Sequence, residues 1–191
     1  MRLDKNKNAG FTLVETLVVV FIIGLLSTIL IVNWRQNEKQ YQLQMAAQEI
    51  VQNIRKVQGM ALNGSRYNNQ IPFNYGLDFD LSSPNSYIIF ANQSNDRRYD
   101  VGNDLIVGDT AVQIESGFEI GSLVGSTGVL TVVDTTFSMP DGFVTIRKDQ
   151  PTGGSPWQNS LTITVRKIGT TCPSKDCKNI VIMDTGQINI Q

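Results

Sequence analysis

Hydrophobic and polar positions divide the chain into three regimes. Residues 11–34 read FTLVETLVVVFIIGLLSTILIVNW, apolar on every face of a helix, with Glu15 as the one charged side chain. Further on, Leu43, Ala47, Ile50, Ile54, Val57 and Ala61 recur at alternating steps of four and three. That spacing draws one apolar stripe along a solvated helix, while Gln44, Gln48, Glu49, Gln52, Asn53, Arg55 and Lys56 fill the rest of its surface. Beyond Ser65 the pattern becomes short runs of β-branched and aromatic residues separated by Gly, Asn, Asp and Pro, the signature of strands and turns.

One helix is therefore predicted over residues 11–63, with Asn63-Gly64 as its stop. Strands are predicted at 75–79, 87–91, 114–120, 128–133, 143–147, 161–168, 179–183 and 187–190. Asp184-Thr185-Gly186 makes a tight turn between the last two, and longer loops fall at 92–109 and 148–159. The predicted fold class is α+β: a long N-terminal helix, membrane-spanning in its first half, packed on a β-rich head. Short connections make that head mostly antiparallel. The predicted organisation is a leader at 1–10, a spanning segment at 11–34, an amphipathic continuation at 35–64 and a head at 65–191.

The apolar run is long enough to matter. As a helix its 24 residues reach about 36 Å, against a hydrocarbon core of about 30 Å. Arg2, Lys5 and Lys7 outweigh Asp4 in the ten residues before it. The positive-inside rule keeps that leader in the cytoplasm and sends everything after Trp34 across. A secretory signal fits poorly, because its apolar region runs roughly 7 to 15 residues and is followed by small residues. Here Arg35, Gln36, Asn37 and Glu38 follow, and the small residues Ala9 and Gly10 come first.

Glu15 has two readings. An ionisable group inside a spanning helix is costly and points to function. Thr12-Leu13-Val14-Glu15 is also a capping box, with the acid favoured by the helix dipole. Taken with its leader and helix, Gly10-Phe11-Thr12-Leu13-Val14-Glu15 resembles the processing signature of type IV prepilins and type II secretion pseudopilins. The resemblance implies that a membrane prepilin peptidase cuts after Gly10 and methylates Phe11. It also implies that Glu15 takes part in assembly with other pilin or pseudopilin subunits. The chain departs from many major pilins in having Val32 where they carry a helix-breaking Pro, although Gly24 could loosen the helix locally. Segments 61–65 (ALNGS), 75–79 (YGLDF), 87–90 (YIIF) and 184–188 (DTGQI) are similar to minor pseudopilins of the GspH/FimT type.

Composition mainly excludes. The 191 residues contain no His and two Cys, and the net charge is −1. Without His there is no Ser-His or Cys-His nucleophile, and Cys172 with Cys177 cannot supply the four ligands of a zinc site. A disulfide is expected if they lie outside the cytoplasm, and inert thiols otherwise. Asp78 and Asp80 share a strand face and read as a solvated edge. Gly121, Gly125 and Gly128 flank a Ser/Thr-rich turn with no phosphate-binding Lys after it. Asp96, Asp100, Asp104 and Asp109 could offer oxygens to Ca²⁺, but the spacing is not that of an EF-hand, and Arg97 and Arg98 offset the charge.

Arg147, Lys148, Arg166, Lys167, Lys175 and Lys178 are the basic concentration. Some FimT-type relatives bind DNA through a basic C-terminal motif, but Gly186-Gln187-Ile188-Asn189 carries no Arg. Were their two strands antiparallel neighbours, Lys148 and Lys167 would fall at opposite ends. The expectation is a structural subunit of a type IV pilus or type II secretion pseudopilus, with a DNA-binding minor pilin of an uptake machine as the alternative. No catalytic residue, cofactor, metal or specific nucleic acid is expected. The chain should be a single-pass protein of the cytoplasmic membrane with its head outside, or part of a pilus or pseudopilus.

Overall fold

The computed structural model describes residues 11–94, 96–108, 110–148 and 157–191, and for residues 29–37 the helical backbone alone. Among the described residues one helix, α1 (Leu13–Leu62), is followed by twelve strands. These are β1 (Asn74–Asp80), β2 (Ser86–Asn92), β3 (Leu105–Ile106), β4 (Val112–Gln113), β5 (Phe118–Gly125) and β6 (Gly128–Leu130), then β7 (Val132–Ser138), β8 (Val144–Lys148), β9 (Trp157–Gln158), β10 (Ser160–Lys167), β11 (Cys177–Met183) and β12 (Ile188–Ile190). The chain divides into two compact units, Met1–Lys39 and Gln40–Gln191.

In the second unit the predicted stripe is the buried face of the helix. Leu43, Ala47, Ile50, Ile54, Val57 and Ala61 are each at most 2% exposed, and Ala46 and Val51 join them. They form one core with Tyr75, Leu77, Phe79, Phe137 and Ile146 of one sheet and Ile120, Leu123, Leu161, Ile163, Ile180 and Ile182 of the other. The helix ends where Asn63-Gly64 predicts. Gly64 takes a left-handed φ of 57°, Ser65 N–H donates to Met60 O and Gly64 N–H to Ala61 O, each at 3.0 Å. This is a Schellman cap, which Gly accepts without a Cβ penalty.

A seven-stranded sheet runs β3-β2-β1-β7-β8-β9, with β4 also paired to β2, and a five-stranded sheet runs β12-β11-β10-β5-β6. Every pairing is antiparallel. Two expected strands are redrawn. The 114–120 run breaks at Gly117, whose φ is 95°, and the strand proper continues from Phe118 to Gly125. The 128–133 run is two strands, β6 and a β7 that extends through Asp134, Thr135 and Thr136 to Ser138.

The outer face of β1, β2, β7 and β8 is covered by part of the predicted 92–109 loop. The Tyr99 ring lies 5.3 Å from that of Phe90. Tyr99 N–H donates to Asp134 Oδ1 at 3.2 Å, and Arg147 Nη1 to Asp96 O at 2.8 Å. This cover makes the polar centre of β7 an interior strand. It also corrects the expectation for Asp78 and Asp80, because β1 is central, between β2 and β7. Asp78 is paired in register with Asp134, and Asp80 closes the next turn by accepting from Ser82 N–H and Ser82 Oγ at 2.7 and 2.6 Å.

Candidate processing and assembly site

The described part of the first unit opens on a capping box. Thr12 N–H donates to Glu15 Oε2 at 2.9 Å, Thr12 Oγ1 donates to the same oxygen at 3.0 Å, and Glu15 N–H donates to Thr12 Oγ1 at 3.3 Å. The capping box predicted from sequence is thus closed in both directions, satisfying two donors that a helix start otherwise leaves open. Both bonds to the carboxylate fall on Oε2, and among the described residues Oε1 accepts none.

From there every described side chain to Thr28 is exposed. Phe11 is 87% exposed, and Leu13, Val14, Leu17, Phe21 and Ile23 are each more than half exposed. A helix apolar on all sides does not leave such a surface to water; it is covered by lipid or by other helices. The helix runs unbroken through Gly24, and Ser27 and Thr28 turn their hydroxyls back onto Ile23 O and Leu25 O at 2.7 Å. Among the described residues no helix is long and apolar enough to cross a membrane. The described side chains of the run stop at Thr28, about 22 Å from Leu13, while the sequence stays apolar through Val32. Gly10, the expected cleavage residue, lies outside the described residues.

The remaining candidates are dispersed. Cys172 and Cys177 are disulfide-bonded with Cα atoms 6.0 Å apart, tying the β10–β11 connection to the first residue of β11. The described aspartates of the covering loop are engaged by donors within that loop and the end of β2, and Asp100 pairs with Arg98. Asp104 accepts from Gln93 N–H and Asp100 N–H at 2.8 Å each, and Asp96 accepts from Asn92, Ser94 and Arg98 N–H. Burial works to raise Asp96, but hydrogen bonds from Asn92, Ser94 and the Arg98 N–H outweigh it and lower the carboxyl to about 2. Asp104 is raised, by burial first and by the charges of Asp96 and Asp100. Among the described residues no group of three or more His, Cys, Asp or Glu could hold a metal ion; Asp109 lies outside them.

The basic residues divide between two places: Lys167, Lys175 and Lys178 gather at the start of β11, apart from Arg147 and Lys148 on β8. β8 and β10 are not neighbours, as they belong to different sheets. Arg147 sits 5.9 Å over the Trp157 ring, and Arg166 Nε pairs with Glu119 Oε1 at 2.8 Å while lying across Gly121.

Residues 5–31 match the family described as the prokaryotic N-terminal methylation motif. The match takes in Gly10, Phe11, Thr12 and Glu15 together with the bare apolar helix, so the chain carries a prepilin-type processing signature. It ends at residue 31 and leaves the β-rich unit outside it. No curated protein and no solved structure matches the chain.

Proposed function

We propose that the chain is a structural subunit of a type IV filament-type machine, either a pilus or a type II secretion pseudopilus. Prepilin peptidase cuts it after Gly10 and methylates Phe11. The helix holds it in the cytoplasmic membrane with the β-rich unit outside. Subunits then assemble through the same helix, and the chain catalyses no reaction of its own. The observation that carries this reading is a helix exposing apolar side chains on all faces from Leu13 to Thr28, directly inside the matched methylation motif. The disulfide fits an exported β-rich unit. The alternative, a DNA-binding minor pilin for uptake, gains nothing from Arg147 and Arg166, whose guanidinium groups are engaged within the fold.

Intact-mass measurement of the membrane-extracted protein tests the reading. The expected mature chain starts at N-methylated Phe11, and a bulky replacement of Gly10 blocks the cut. A mature chain that still begins at Met1, or that starts beyond Trp34, overturns it.

A further inference from the structure

We propose that a cleft beside the C-terminal end of α1 receives Lys175 of a second copy of this chain, giving an end-to-end contact between β-rich units. The proposal rests on the filament-subunit reading and names a partner surface within it. The cleft, of about 430 Å³, is lined by Asp141, Gly142, Phe143, Val144, Asp184 and Thr185. Its apolar side is open, with Phe143 58% exposed. Next to it Leu62, 51% exposed, packs so closely on Gly142 that a Cβ there would lie 2.5 Å from Leu62 Cδ2.

Three features favour a cation. Asp141 and Asp184 are both exposed, and neither forms an ion pair among the described residues. The third is the helix itself. Leu62 is its last residue and no basic residue stands in its last turn, so no cationic side chain of the helix offsets the negative end of its dipole. Carboxylates beside an exposed aromatic ring suit an ammonium on an aliphatic stem, whose methylenes cover the ring while its head reaches the acids.

Lys175 is the lysine that the fold offers. Asp184 directly follows β11, and Lys175 precedes β11 by two residues. The two therefore stand beyond opposite ends of one strand, whose seven residues span about 23 Å. Lys175 is exposed near the tip of the ring closed by Cys172 and Cys177. A side chain on a covalently closed ring brings less backbone freedom to lose on docking. Lys167 and Lys178 lie at the same end, with Lys167 N–H bonded to Asp176 O at 3.2 Å. Unlike charges attract, and a contact between unlike ends is heterologous, so it leaves a free end on each copy to take the next. A two-fold pairing of acidic ends would set like charges together.

Carbodiimide cross-linking of the assembled full-length chain, followed by peptide mass spectrometry, tests this. The reagent joins an amine to a carboxylate in direct contact, so a Lys175–Asp184 or Lys175–Asp141 link must come from two copies. Mixing isotope-labelled and unlabelled chains confirms that. Lys175→Glu and Asp184→Lys should each lower the link and the sedimenting polymer by about tenfold, and the double exchange should restore the polymer. Processed chain that polymerises with no link at Lys175, or with another lysine in the cleft, overturns the contact and leaves the filament reading intact. Processed chain that never polymerises overturns both.

Discussion

Thr127 and Gln158 join the two sheets: Thr127 N–H and Thr127 Oγ1 each donate to Gln158 Oε1 at 3.0 Å. Ser126 Oγ adds a third bond to the same oxygen at 3.2 Å. Gln158 is 3% exposed in β9, the edge of the seven-stranded sheet, whereas Ser126 and Thr127 form the β5–β6 hairpin of the five-stranded one. Gly125 permits the approach, since a Cβ there would lie 2.5 Å from Gln158 Oε1.

Replacing Gln158 with Leu removes the shared acceptor. The hairpin is exposed and its donors can turn to water, so the expected loss is about 1 kcal/mol. Urea unfolding of the detergent-solubilised chain, followed through the fluorescence of neighbouring Trp157, measures it. An unchanged midpoint would show that the sheets are held by their apolar faces alone.

Gly76 is a sharper case. It lies in the central strand β1, and a Cβ would meet Phe90 Cζ at 2.5 Å and Thr136 Cγ2 at 2.9 Å. Phe90 is fully buried and packed against Tyr99 at a tilt of 48°, so it cannot swing clear. Gly76→Ala should destabilise by about 2 kcal/mol through overpacking, and Gly76→Ala with Phe90→Leu should recover part of that. Equal midpoints for the single and double variants would place the strain elsewhere.

Tyr87 ties β2 to α1 and should give the fold a basic limit. Its hydroxyl accepts from Asn53 Nδ2 at 2.7 Å. Burial, with a smaller contribution from Glu49, pushes its pKa up to about 12 against the bond from Asn53. The neutral form is the one the fold favours, so this contribution is fully present below pH 10, the unfolded value. It is lost as pH climbs toward 12 and totals on the order of 2 kcal/mol. Thermal unfolding between pH 9 and 12 should fall more steeply for the native chain than for Tyr87→Phe. Parallel curves would remove Tyr87 as the cause.

Much of this organisation is legible in the sequence where one physical preference dominates. The stripe from Leu43 to Ala61, the Gly64 stop and the turn at Gly186 each follow from a single rule of spacing or φ. Gly186 has its φ at 85°, and its N–H reaches Met183 O at 2.9 Å. β7 was harder, because Asp134, Thr135 and Thr136 read as a strand end until a second layer covers them. Asp134 is 1% exposed, and its partner Tyr99 comes from a loop 35 residues away. The same cover explains the aspartates that look like cation ligands, since their oxygens accept from nearby side-chain and backbone donors. At the N-terminus the capping box was readable because its partners are three residues apart. Its use in assembly needs a second chain.

The Cys172–Cys177 ring is short, so its removal should be mild. For a loop of this size chain-entropy reasoning gives about 2 kcal/mol. Cys172→Ser with Cys177→Ser should lower the unfolding free energy by that amount and leave processing at Gly10 unchanged. Free thiols in freshly isolated, non-reduced protein would count against both the bond and the exported placement.

Glu15 separates local structure from function. Its carboxylate caps the helix through Oε2, bound by Thr12 N–H and Thr12 Oγ1, and Oε1 has no partner among the described residues. After cleavage Phe11 carries a cationic amine about one turn away, in the same or an adjacent subunit. A carboxylate in an apolar setting favours such a partner. At about 4 Å the attraction is about 4 kcal/mol for an effective dielectric of 20, offset by desolvation of both charges. Gln can hold the same capping box through its side-chain oxygen, so Glu15→Gln should keep the helix, the cut and membrane insertion. What it removes is the charge. If that charge sets the axial offset of an incoming subunit, the variant should be processed normally yet enter filaments about tenfold less often. Glu15→Asp should fail partly on both counts, because its shorter side chain reaches neither Thr12 nor a neighbouring amine as well. Quantifying mature protein in the sheared or secretion-complex fraction against the membrane fraction decides it. Incorporation of Glu15→Gln at the native level would leave Glu15 with its cap alone.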